Sequence, residues 1–395
     1  MSLFYEYCIK SFFSLSIILI VLSACNNEST RDESLNGKKL KLSSDKGVKI
    51  SLFDKASSFF VLSQEETINQ NEYLIFSNPF PTDPNLLFFS SVGNKVESFA
   101  LDFEVEGPNG VGQMSEFYFH NFDSIFVFNR YSYSLSLVDS SGKVKRRFLL
   151  RESEGSKPNE NTALTWVSNK SKVFKIGNYL YIPTFPDKDP FFDGYLKENL
   201  LLQLDLNSGE SKQILGYPTK YKSGGYWGGP DHILPSVAMT NDSNLLIVSY
   251  PIEDSIFLYD ISKNKLKAKA FGKSNIVNNV NPKTTYTNDR IERLNYQLGT
   301  DYYFSIIFDP YRNQYYRFAS QKYSDDAISD IISKKTGASN KNSLLKFDSE
   351  FNLMKEFDLP IDSNGYLFFV FKSGVYIVSK NENEEVLQLY YIDNF

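Results

Sequence analysis

The chain has 395 residues, 42% apolar and 23% charged, which excludes a disordered or collagen-like polymer. Its 47 acidic and 42 basic side chains give a formal charge of −5, so it lacks the basic balance that non-specific nucleic-acid binding needs. With only two cysteines and two histidines, a disulfide scaffold, a cysteine zinc site and a histidine-rich metal centre are excluded.

The N-terminus reads as an address. Lys10 supplies positive charge, and the apolar run Ser11–Leu22 is too short to favour a membrane span of about 20 residues. It ends in Leu22-Ser23-Ala24-Cys25. That tetrapeptide resembles the bacterial lipobox, an apolar residue and two small ones before a cysteine that is acylated and becomes the new N-terminus. The resemblance implies a signal peptide over residues 1–24, lipidation at Cys25, and a membrane anchored through acyl chains. Cys8 falls within the removed segment, so no disulfide is expected. Asn26 stands where an Asp would retain a Gram-negative lipoprotein at the inner membrane, which favours the outer membrane. Arg31-Asp32-Glu33 resembles the acidic export tract of surface lipoproteins in Bacteroidota, so the protein is expected to face the periplasm or the cell surface. Residues 25–37 read as a polar, flexible tether.

From Lys38 to Phe395 the pattern is short strands with turn punctuation, consistent with a single β domain. An apolar strand ending in Asp recurs at Asp102, Asp139, Asp205, Asp260, Asp348 and Asp393. Asp suits the start of a turn because its carboxylate accepts from nearby backbone N–H groups. A more apolar strand precedes most of these units, such as Ser124–Phe128 or Asn244–Tyr250. A more charged strand follows several of them, such as Lys143–Leu149. An order of buried, middle and polar strands is that of a propeller blade, dry near the axis and wetter at the rim. The expected fold is all-β, a six-bladed β-propeller. A seventh blade is possible through Leu52-Phe53-Asp54, and a pair of β-sandwiches is the alternative. Surplus length falls in residues 273–300 and 320–342, and the spacing in Asp325–Lys335 predicts a short helix. The last blade lacks sequence for its outer strand. Strand-like runs within Lys38–Phe53 are expected to supply it and close the ring.

Asn178-Tyr-Leu-Tyr-Ile-Pro183 and Asp309-Pro-Tyr-Arg-Asn-Gln-Tyr-Tyr-Arg-Phe318, taken with the lipobox and the blade pattern, resemble the six-bladed, TolB-like propeller lipoproteins of Bacteroidota. The resemblance covers most of the mature chain. It implies a fold and an address but no activity. The clustered His and acidic ligands of a propeller lyase are missing.

Three stretches carry candidate chemistry. In Tyr221–His232, four glycines surround Tyr226 and Trp227, and Asp231 and His232 follow. Glycine permits close approach, and the aromatic faces suit a sugar, a peptide or an apolar ligand, whereas a packed blade junction is the structural alternative. His232 beside Asp231 is also the one candidate general base, with no evident nucleophile. Asp187, Asp189 and Asp193 form an oxygen-rich loop that could hold Ca²⁺, although two prolines and a spacing unlike an EF-hand favour a solvated loop. Asp309, Arg312 and Arg317 surround a turn, where either arginine would clamp an anion or lock two blades. The function expected from these features is a non-catalytic envelope module that binds a protein, peptide or glycan. The competing expectation is a calcium-type propeller hydrolase or lactonase with its site in the central channel.

Overall fold

The computed structural model describes residues 38–39, 41–51, 62–77, 82–92, 95–150, 163–186, 195–223, 225–278, 280–283, 289–335, 339–360, 363–379 and 386–393. Strands β1 (Lys38–Lys39) and β2 (Lys41–Ser51) come first. Blade 1 follows as β3 (Ser63–Ile68), β4 (Asn71–Ser77), β5 (Asn85–Val92) and β6 (Lys95–Asp102). Blade 2 is β7 (Glu116–Asn121), β8 (Ser124–Asn129), β9 (Ser134–Val138) and β10 (Val144–Leu149). Blade 3 is β11 (Ala163–Thr165) and β12 (Phe174–Ile176), both paired to β13 (Tyr179–Pro186), then β14 (Asn199–Asp205) and β15 (Ser211–Gly216). A single helical turn, α1 (Pro230–Ile233), leads into blade 4, which is β16 (Ser236–Met239), β17 (Leu245–Ser249), β18 (Ser255–Asp260) and β19 (Lys265–Phe271). Helix α2 (Arg290–Leu298) precedes β20 (Tyr302–Asp309) and β21 (Gln314–Ser320). Helix α3 (Asp325–Ile332) then precedes β22 (Asn342–Phe347) and β23 (Leu353–Asp358), which complete blade 5. Blade 6 is β24 (Ser363–Val370), β25 (Val375–Ser379) and β26 (Val386–Asp393), with β2 as its outer strand.

This is a six-bladed β-propeller, and β2 closes it as the sequence predicts. The strand pairs antiparallel with β26, from Lys41 opposite Asp393 to Ser51 opposite Val386. The same N-terminal stretch adds β1 in parallel to the rim of blade 5, with Lys38 opposite Phe357. Leu52-Phe53-Asp54, the seventh-blade candidate, lies outside the described residues.

Burial falls from axis to rim. Second strands are almost continuously dry, as in β8 and β21, because both faces of a blade pack on a neighbour. Outer strands such as β19 keep most side chains in water. The aromatic excess fills the wedges between blades. Phe88 meets Phe119 at 5.2 Å between blades 1 and 2, and Phe318 meets Phe368 at 4.9 Å between blades 5 and 6. Fully buried Ile247, Ile256 and Phe347 belong to the wedge between blades 4 and 5.

Two details of the repeat differ from the expectation. The apolar strands taken as innermost are second strands, and the axis is formed by a further strand in each blade (β3, β7, β12, β16, β20, β24). The first strands of blades 4, 5, 6 and 1 touch one another in turn. Asp102 ends an outer strand, β6, whereas Asp205, Asp260 and Asp393 end third strands and Asp139 and Asp348 directly follow them. In blade 1 the third strand runs to Val92, which pairs with Lys95. At Asp205 and Asp348 the carboxylates act as expected. Asp205 accepts from the N–H of Asn207 at 2.7 Å, and Asp348 from those of Glu350 and Asn352 at 2.9 Å each.

The expected helix is present as α3, capped by the Ser324 hydroxyl, which accepts from the Ala327 N–H. The insertion over residues 273–300 also holds a helix, α2. Asp289 caps it, accepting from the N–H groups of Ile291 and Glu292.

Candidate functional site: the axial cavity

Where the first strands begin, the axis is crossed by a loop of blade 3. Ser63 of blade 1 donates from its N–H and hydroxyl to Asn169 Oδ1 at 2.7 and 2.8 Å. In blade 4, the Ser236 hydroxyl donates to the Lys170 carbonyl and accepts from the Ile306 N–H of blade 5 at 3.0 Å. This belt joins four blades.

Where the first strands end, a cavity of about 400 Å³ opens along the axis. One wall is apolar, with Val237, Ile306, Phe308, Val370 and Phe371 from blades 4 to 6. The other is polar, with Glu65, Glu66 and Thr67 of β3 and Lys172 beside β12. Lys172 and Glu65 form an ion pair. Glu66 accepts from Gln64 Nε2 at 2.6 Å, and Gln64 is itself fixed by both backbone groups of Phe119 in blade 2. At the mouth the hydroxyls of Thr67 and Tyr311 lie 3.2 Å apart. Burial, reinforced by the neighbouring Glu65 charge, raises the Glu66 carboxyl to about 7. Burial also raises the Tyr118 phenol beside it, with a further push from Glu66. His120, on the same strand β7, is lowered by burial and by Lys175.

The Tyr221–His232 stretch packs as a cap and offers no open aromatic face. Trp227 is 3% exposed, with its ring 5.6 Å from Tyr221. Tyr226 is held by paired backbone hydrogen bonds to Lys283 and by the Tyr296 ring. His232 is 2% exposed, its ring 4.8 Å from Tyr302, and burial lowers it to about 4, so the imidazole is neutral at pH 7. Gly228 adopts φ +103°, and an added Cβ would come 3.1 Å from His232 Nδ1, so this glycine serves the packing of His232. Asp231 is exposed, and its carbonyl accepts from Lys170 Nζ at 3.3 Å. Of the two readings of this stretch, Trp227, Tyr226 and His232 fit the packed one in this structure, since burial leaves them little free surface.

The two arginines are also spent internally. Arg312 donates to Asp309 Oδ2 at 2.9 Å and to the Phe371 carbonyl at 3.2 Å, tying blade 5 to blade 6. Arg317 is wholly buried and turns away from Asp309 into blade 4. Of the two roles open to it, the blade lock is the one its contacts match, since its donors go to protein oxygens. Asp187, Asp189 and Asp193 lie outside the described residues, as does Cys25. Among the described residues no three His, Cys, Asp or Glu side chains are grouped to hold a metal.

The sequence reading missed Glu65, Glu66, Lys172 and Tyr311. The available signal was Glu65-Glu66 inside the strand Ser63–Ile68, where two adjacent carboxylates must face opposite sides of one blade.

Comparison with known proteins places this geometry in a family. The family model described as "Domain of unknown function (DUF4221)" matches residues 67–358, from the end of β3 through β23. No curated protein matches the chain. The crystal structure of a DUF4221 member from Bacteroides vulgatus is similar at 19% identity and a TM-score of 0.74, covering 91% of this chain and 99% of that one. A candidate exported protein from Bacteroides fragilis is similar at 12% identity and TM-score 0.48, covering 93% and 98%. A candidate 6-phosphogluconolactonase from Bacteroides fragilis is similar at 10% identity and TM-score 0.37, covering 80% and 79%. With its family match running across five of the six blades, this chain belongs to the DUF4221 family.

Proposed function

We propose that the protein is a lipid-anchored β-propeller of the cell envelope that acts as a non-catalytic binding module. Its ligand is a protein, peptide or glycan that places one group in the axial cavity. The observation that carries this reading is the cavity itself: one apolar wall, one polar wall and a mouth at the ends of the first strands. Concave, mostly apolar sites with a few fixed polar groups suit recognition, and a rigid ring holds them in place.

The hydrolase alternative needs several oxygen ligands free to converge on a cation. Here Glu65 is paired with Lys172, and the Asn169 amide oxygen is taken by Ser63. Glu66 alone is left, which is too few donors among the described residues for calcium chemistry.

Ala238, half-buried and small, lines the cavity. Thermal-shift screening of the intact protein against peptide and glycan libraries should find a ligand that stabilises the fold by about 2.7 kcal/mol at 100 times its Kd. Ala238→Phe should abolish that shift by filling the space. Undiminished binding by Ala238→Phe would move the site away from the axis.

The anchor is tested separately. Replacing Cys25 with Ser should abolish uptake of labelled fatty acid, because the thiol carries the acyl chains that hold the protein at the membrane by about 0.8 kcal/mol per buried CH₂. An intact protein that takes up no labelled fatty acid would overturn the lipoprotein assignment.

A further inference from the structure

Resting on the reading of the axial cavity as the ligand site, we infer that its occupant is an amphipathic cation, an apolar body carrying a protonated amine. The charges lining the cavity lead to this sign. Lys172 is neutralised by Glu65. Lys170, the other cation on the lining, donates its amine to the Asp231 carbonyl of the cap. Glu66 has the Gln64 amide as its hydrogen-bond partner, and among the described residues no lysine or arginine forms an ion pair with it. One carboxyl on the lining is thus left without an opposite charge beside it, open to a ligand cation. The opposite wall, with Phe308 and Phe371, fits an apolar body.

The groups facing Glu66 are Glu65 on its own strand, Lys172 from blade 3 and Tyr118 from blade 2, with His120 and Lys175 beside Tyr118. Tyr118 stays neutral at physiological pH because burial raises it, and His120 is held toward its neutral form. On the lining, burial raises Glu66 to about 7 and lowers Lys170 to about 8, so both change charge near neutrality, and each change favours a cation as pH rises. An incoming ammonium stabilises the carboxylate, so binding expels a proton from the fraction of Glu66 that holds one. Affinity therefore rises with pH as Glu66 ionises.

The test uses three probes with one apolar body and different heads: tryptamine (cation), tryptophol (neutral) and indoleacetate (anion). Calorimetric titration of the intact protein should show tryptamine binding about tenfold more tightly than tryptophol, the scale of one charge-assisted contact. Between about pH 6 and pH 8 tryptamine affinity should rise about tenfold, while that of tryptophol changes little. Glu66→Gln should erase the preference and most of the slope, leaving only what Lys170 contributes. Repeating the wild-type titration at neutral pH in buffers of different ionisation enthalpy should reveal proton release, a readout that needs no variant. If tryptophol or indoleacetate binds as tightly as tryptamine, the charge assignment falls and the cavity remains a ligand site. If Glu66→Gln keeps both the preference and the slope, Glu66 is not the counter-charge and the inference fails. If none of the three binds at millimolar concentration, the inference and the cavity reading fall together.

Discussion

Replacing Arg317 with Met should cost the propeller about 3–5 kcal/mol, the range for stranding partners of a buried charged group. The side chain is 0% exposed, on the second strand of blade 5, yet its hydrogen bonds go to blade 4. Nε donates to Ser249 Oγ at 2.9 Å, and Nη1 donates to the carbonyls of Asp254 and Gly272, both at 2.9 Å. Nη2 reaches the Glu253 carbonyl at 2.5 Å, and the guanidinium lies 3.5 Å from the centre of the Tyr303 ring. Burial lowers the group only to about 10, so it remains charged at neutral pH. Met fills much of the volume but leaves those carbonyls without a donor, and each buried orphan costs about 1–3 kcal/mol. Arg317→Lys should recover only part of the loss, because one ammonium cannot reproduce a planar fork. Urea unfolding of the two variants, with the slope unchanged, measures the effect. A loss below about 1 kcal/mol for Arg317→Met would show that water replaces the guanidinium, and the blade-lock reading would be wrong.

The propeller was legible in the sequence because its strongest signals are periodic. Second strands such as Ser124–Asn129 are dry on both faces and read as unbroken apolar runs. Third strands announce their ends with a turn-capping Asp, as at Asp205 and Asp348. The first strands were not legible. Their inner edge faces an axis that is partly wet, so Ser63–Ile68 carries Gln64, Glu65 and Glu66 and loses its alternation. The candidate site shares this cause, since it is built from those strand ends. The Tyr221–His232 stretch drew notice for its glycines and aromatics, but a glycine beside a ring is read equally well as tight packing. Gly228 against His232 is that case. Sequence spacing also linked Arg312 and Arg317 to one turn. Arg312 lies in the turn between β20 and β21, whereas Arg317 lies within β21. One arginine accordingly ties blade 5 to blade 6, and the other locks blade 5 to blade 4.

Deletion of Lys38–Ser51 should have the largest effect of all, abolishing the single cooperative unfolding transition. These residues complete blade 6 and extend blade 5, so their loss uncovers two strand edges at once, on β26 and β23. The ladder between β2 and β26 runs through Val48, Lys49 and Ile50 opposite Leu389, Gln388 and Leu387. Each lost backbone hydrogen bond costs about 1 kcal/mol net. Ile50, 2% exposed, packs in the wedge with Phe369, Leu387 and Leu389, and its burial contributes a further 1.5–3 kcal/mol or so. The sum reaches the 5–15 kcal/mol or so that typically separates folded from unfolded. The exposed β26 edge then offers unpaired N–H and C=O groups to another chain, so aggregation should accompany the loss. Thermal melts and size-exclusion profiles of the deletion variant measure both effects. A synthetic peptide spanning Lys38–Ser51, added in trans, should restore a cooperative melt with a concentration-dependent Tm, because it binds the folded ring and not the unfolded chain. A deletion variant that melts as sharply and as high as the intact chain would mean that five complete blades and a three-stranded sixth hold the ring without closure, and the N-terminal strand would then be decoration on an already stable fold.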